Sequence, residues 1–155
     1  MVKDNLAHIN WMQDLKKDVI ASRIRKIASY SKNISVYCED SLSLLKRCVE
    51  FPPKYSLIYL DPPYYLKEKG LYRNYYEHDD HLAISIELQS HKFNYPWIVS
   101  YDNTAEICDM YRLSKSLSYN LNYTAQQRYI GNEVTFFSHN LNLPNDNTFT
   151  IKTAI

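Results

Sequence analysis

At 155 residues the chain is one domain's worth of polypeptide, with a hydrophobic fraction of 45% that suffices for a core. A net charge of +1 gives no global field for nucleic acid, so any DNA contact must come from a local patch. No apolar run approaches a membrane span, and Met1-Val2-Lys3-Asp4 lacks the apolar core of a signal peptide; three widely spaced cysteines (Cys38, Cys48, Cys108) suit a reduced, cytoplasmic protein better than a disulfide or zinc framework.

In chain order, residues 5–30 read as a helical lead-in, with Ile20, Ile24 and Ile27 on one face and Lys16, Lys17, Arg23, Arg25 and Lys26 around the rest. Ser31-Lys32-Asn33 is a turn, and Ile34 to Cys38 reads as a short strand. Asp40 opens a helical stripe of Leu42, Leu45 and Val49. It is an N-cap on the plain reading, and a carboxylate at a strand's carboxyl end, able to accept from a nucleoside, on the functional one.

Leu57 to Leu60 read as a fully buried central strand, because a short apolar run bounded by turn residues suits a parallel sheet. It runs into Asp61-Pro62-Pro63-Tyr64-Tyr65. The prolines have no N–H and fix φ near −65°, and the residue before a proline is held extended. The product is a stiff loop past a strand's carboxyl end, where open α/β sheets place ligands. The carboxylate of Asp61 and the carbonyl of Pro62 can accept from the two N–H groups of an exocyclic nucleobase amine, and Tyr64 offers a flat face to an extruded base. Equally, the tetrapeptide alone could be a proline-terminated core strand with a capping aspartate.

The loop through Tyr72, Arg73, Asn74 and Tyr76 has the composition of phosphate and base contacts. Asp79 or Asp80 caps a helix to about Ser90, Trp97 to Tyr101 form a strand, and Asn103 with Glu106 make a capping box for a helix to about Tyr111. Ser118 to Ile130 and Glu133 to Ser138 form a hairpin turning at Gly131-Asn132, and the tail, 144–155, is polar and loose. Helix and strand alternate, so the expectation is an α/β fold with a mostly parallel sheet and a C-terminal antiparallel hairpin.

From about Trp11 to Leu143 the chain resembles the carboxyl-terminal part of Dam-type, adenine-specific DNA methyltransferases, the restriction-associated and phage-borne enzymes. The resemblance runs through Tyr37-Cys38-Glu39-Asp40, Asp61 to Tyr65, Gly70-Leu71-Tyr72, Asp80-His81, Trp97 to Asn103, Tyr123, Arg128-Tyr129, Gly131, Glu133-Val134 and Phe136-Phe137-Ser138. It implies a partial Rossmann-like fold in which residues 1–143 are the catalytic half of the domain. The methyl donor would be S-adenosylmethionine. Asp61 and Pro62, followed by Pro63, would hold the adenine amine, with Tyr64 stacked on the flipped base. Asp40 and Ser41 would touch the donor's adenine, and Tyr72, Arg73, Asn74, Tyr76 and Arg128 would face double-stranded DNA; no metal is expected.

The family's sheet order is 3-2-1-4-5-7-6, with a Phe-x-Gly-x-Gly loop on strand 1. The chain's two glycines, Gly70 and Gly131, both lie in its second half. The expectation is therefore a truncated or split enzyme, with a separate amino-terminal half or self-association supplying the missing wall. The alternative is an inactive remnant or a nucleic-acid-binding module.

Overall fold

The computed structural model describes residues 17–47, 51–66, 76–123, 129–143 and 151–152. The chain divides into two compact units, Met1–Cys38 and Glu39–Ile155.

In the first unit, helix α1 (Lys17–Ala28) is followed by a 3-10 turn at Ser31–Asn33. Acidic Asp18 near its start and Arg25 and Lys26 near its end suit the helix dipole. The apolar stripe read from the sequence is present but uncovered: no residue of α1 is buried, and Ile24 and Ile27 are 60% and 62% exposed. The strand expected at Ile34 to Cys38 does not form among the described residues. A strand is defined by its ladder, and the sheet's ladders among the described residues run through β1 to β5 and not through this segment.

The second unit is a mixed α/β layer built on a five-stranded sheet of order β1-β2-β4-β3-β5. Its strands are β1 (Ile58–Leu60), β2 (Trp97–Asp102), β3 (Lys115–Tyr123), β4 (Tyr129–Phe137) and the two-residue β5 (Ile151–Lys152). Helix α2 (Ser41–Arg47) precedes β1, α3 (His78–Leu88) joins β1 to β2, and α4 (Ala105–Met110) follows β2.

Only β1 and β2 are parallel; the pairings of β2 with β4, β4 with β3, and β3 with β5 are antiparallel. The expected mostly parallel sheet is thus corrected to a mixed one. Helices α3 and α4 each return the chain parallel, to β2 and to β3, but β4 pairs antiparallel between β2 and β3, so β1–β2 is the one adjacent parallel pair among the described strands. Nor is β1 central: among the described residues it is an edge strand, and Leu57 and Tyr59 are 57% and 61% exposed. Apolar content alone does not separate a buried strand from one left open on a flank.

Register explains the two faces. Val99 stands opposite Phe136 and Tyr101 opposite Val134; with Trp97 they pack against Ile84 and Leu88 of α3, and against Ile107 and Tyr111. Each fully buried aliphatic side chain here stabilises the fold by roughly 1.5–3 kcal/mol. The alternating residues Ser100 and Asp102 lie opposite Thr135 and Glu133 on the other face. One face is therefore the core, and the other carries polar groups.

Helix ends shift slightly from expectation. Glu77, not Asp79 or Asp80, caps α3, with Asp80 completing a reciprocal capping box. Thr104, not Asn103, caps α4 by accepting from the Ile107 N–H at 3.3 Å. The hairpin register also differs. Gly131-Asn132 lies inside β4, with Gly131 opposite Leu121, and the strands remain paired to Tyr123 opposite Tyr129. A Gly-Asn pair reads as a turn, but a buried glycine inside a strand also marks close packing. Within the tail, Ile151 and Lys152 pair with Leu117 and Ser116.

Candidate functional site

The polar face converges on the Asp61–Leu66 loop at the carboxyl end of β1. Leu60 pairs with Val99, so Asp61 emerges beside Ser100. The Ser100 hydroxyl donates to Asp61 Oδ1 at 3.0 Å, and the Tyr59 hydroxyl lies 3.1 Å from Ser100 Oγ. Further along, Tyr64 donates its hydroxyl proton to Glu133 Oε1 at 2.7 Å. The backbone N–H groups of Tyr65 and Leu66 donate to the two carboxylate oxygens of Asp102 at 2.8 and 3.2 Å.

Asp102 and Glu133 are cross-strand neighbours, and each is at least 96% buried. Two carboxylates this close to one another in the interior are costly unless donors surround them. Here the donors come from the loop itself. Three consecutive residues, Tyr64 to Leu66, are lashed to the sheet by the same bonds that satisfy the two acids.

Asp61 itself remains exposed. Among the described residues none donates to its Oδ2, nor to the carbonyl of Pro62. Toward the described residues the loop therefore presents two acceptors without a donor, beside the half-buried residue Tyr64.

A tyrosine–histidine cluster joins this loop to α2. The His81 ring is 1% exposed and stands 5.4 Å from the rings of both Tyr65 and Tyr76, centroid to centroid. His81 Nδ1 is 3.0 Å from the Tyr101 hydroxyl, and Tyr65 reaches His78 Nδ1 at 2.9 Å. Tyr76 in turn hydrogen-bonds Ser41. Burial pushes the His81 imidazole below its ordinary value, against the opposing pull of Asp80 and Asp102. Burial likewise pushes the Tyr101 phenol far up, so it stays a neutral hydroxyl.

Asp40 makes the bond of an N-cap: Oδ1 accepts from the Ser43 N–H at 2.8 Å at the start of α2. That bond holds the exposed carboxyl below the ordinary carboxylate range.

No family model matches the chain, and no curated protein matches it significantly.

Of the residues singled out from the sequence, the structure gathers Asp61, Pro62, Pro63 and Tyr64 in the loop. It ties Tyr76 and Ser41 to that loop through His81. Tyr72, Arg73, Asn74 and Arg128 lie outside the described residues. Sequence reasoning missed Tyr59, Ser100, Asp102 and Glu133 as site residues. The available signal was polarity at alternating strand positions, which is visible for Ser100 and Asp102 within β2.

Among the described residues no three of His, Cys, Asp or Glu stand close enough together to hold a metal ion. Nor is any helix among them long and apolar enough to cross a membrane.

Proposed function

We propose that the chain is the catalytic half of an adenine-specific DNA methyltransferase. It would act on the exocyclic amine of an adenine flipped out of duplex DNA, with S-adenosylmethionine as methyl donor. One observation carries the reading. Asp-Pro-Pro-Tyr stands at the carboxyl end of β1, no described residue donates to Asp61 Oδ2 or the Pro62 carbonyl, and the first four strands of the sheet are ordered β1-β2-β4-β3, with β5 beyond β3. That order, with its single parallel pair, is what strands 4-5-7-6 of the family's sheet would give.

The chemistry follows from the acceptors. An aromatic amine is a weak nucleophile because its lone pair is shared with the ring. Two acceptors on its two N–H groups orient it and favour a pyramidal nitrogen. In such a transfer the donor's C–S bond would break as the N–C bond forms, the donor leaving as a neutral thioether, and the cationic nitrogen would give its proton to water. Such a displacement depends on positioning more than on a strong base. Tyr64, whose hydroxyl donates to Glu133, would stack on the flipped base on this reading, a contact worth about 1–3 kcal/mol.

The donor's adenine falls to Asp40 and Ser41 on this reading, with Arg73, Asn74, Tyr72, Tyr76 and Arg128 toward DNA. Asp40 and Ser41 already make hydrogen bonds inside the fold. That favours a second reading, a nucleic-acid-binding module or inactive remnant, and it also suits a site completed by a second chain along the open flank of β1.

The test is transfer of labelled methyl from S-adenosylmethionine to duplex DNA. It is run on the chain alone and with the amino-terminal half of a Dam-type enzyme added. Methylation that disappears in Asp61→Ala while DNA binding persists is the expected result. Undiminished methylation by Asp61→Ala would remove Asp61 from the reaction, and no methylation under either condition leaves the binding-module reading.

A further inference from the structure

We infer that Ser100, backed by Tyr59, is a positioning residue that sets the plane of the Asp61 carboxylate; this rests on the methyltransferase reading of Asp61. A carboxylate torsion is broad and roughly two-fold, so an exposed aspartate has no preferred face of its own. Asp61 is exposed, yet one oxygen is held at 3.0 Å by a hydroxyl from a serine that is only 7% exposed.

The proton directions follow from the chemistry of the groups. A carboxylate only accepts, so Ser100 gives its proton to Asp61 Oδ1. Ser100 Oγ is then left as an acceptor, and Tyr59 donates to it across 3.1 Å. The Ser100 proton thus points to Asp61 Oδ1 and the Tyr59 proton to Ser100 Oγ, and among the described residues Oδ2 is the oxygen that accepts no bond.

Backbone geometry puts the three groups together. Tyr59 and Asp61 lie two residues apart, on one face at the end of β1, and the parallel register brings Ser100 alongside. A hydrogen bond to an exposed carboxylate adds little to folding stability. Orientation of the acceptor is the effect it can have.

The experiment uses the full chain with carbon-13 in its aspartate side-chain carboxyls, the Asp61 resonance being assigned by Asp61→Asn. Ser100→Ala is expected to move that resonance, and Tyr59→Phe to move it less; an unmoved resonance in Ser100→Ala overturns the inference. In the methylation assay Ser100→Ala is expected to lower kcat on the order of 10–100-fold. KM for DNA should stay within about twofold, and Ser100→Thr should restore kcat. A moved resonance with unchanged kcat overturns the positioning role. Failure of the unmutated chain to methylate under any condition overturns the functional reading instead, and the resonance alone then decides whether Ser100 orients Asp61.

Discussion

Replacing Asp102 by alanine removes the acceptor that fixes the second half of the loop. The side chain is 3% exposed, and it accepts from Tyr65 N–H at 2.8 Å and from Leu66 N–H at 3.2 Å. A hydrogen bond to a charged group contributes about 1.5–3 kcal/mol, the longer bond falling at the low end, which puts the two near 3–5 kcal/mol. Against this stands Glu133, directly across the strand pair, whose repulsion the substitution relieves. Cross-strand pair effects are smaller, roughly 0.2–1 kcal/mol, so lost hydrogen bonding wins and the net cost is about 2–4 kcal/mol. That is a large share of a domain's total of about 5–15 kcal/mol. Asp102→Asn keeps one acceptor oxygen and should cost about half as much. Urea denaturation gives the global loss, and hydrogen exchange shows where it arises: the amides of Tyr65 and Leu66 should lose protection in Asp102→Ala ahead of those in β2. Unchanged exchange at both amides would refute the clamp.

Two further outcomes are expected. If Arg73 and Arg128 contact phosphates, changing either to alanine should weaken duplex binding and make its salt dependence shallower; unchanged slopes in both would turn that surface away from DNA. His81 is held neutral by burial, with its folded-state value below the ordinary 6.5. The unfolded chain then binds the proton first, so the His81 contribution is intact above pH 6.5 and is lost as pH falls from there toward the folded-state value. The urea midpoint should therefore drop between pH 7.5 and 5 by more in the native chain than in His81→Gln, and equal drops would show that His81 titrates normally.

How much of this was legible in the sequence varies with the range of the interaction. The Asp61-Pro62-Pro63 loop was, because its stiffness is written in the prolines themselves. Strand β2 was too, since Trp97 to Asp102 combines β-formers with a proline before it. The place of β1 in the sheet was not: what stands beside Leu57 and Tyr59 depends on partners far away in the chain. Asp102 and Glu133 read as ordinary strand-end polar residues until register sets them opposite one another. The hairpin turn was misplaced because glycine serves both turns and tightly packed strands, and only the pairing of Gly131 with Leu121 tells which.

The central claim is that Asp61 and Pro62 present an adenine amine to a methyl donor, and the product's structure tests it most directly. Duplex DNA would be incubated with deuteromethyl-labelled S-adenosylmethionine, with the chain alone and with an added amino-terminal half. It would then be digested to nucleosides and analysed by mass spectrometry. The account predicts label on the exocyclic nitrogen of adenine, present with the native chain and lost in Asp61→Ala. Label on cytosine, or on adenine irrespective of Asp61, would contradict it.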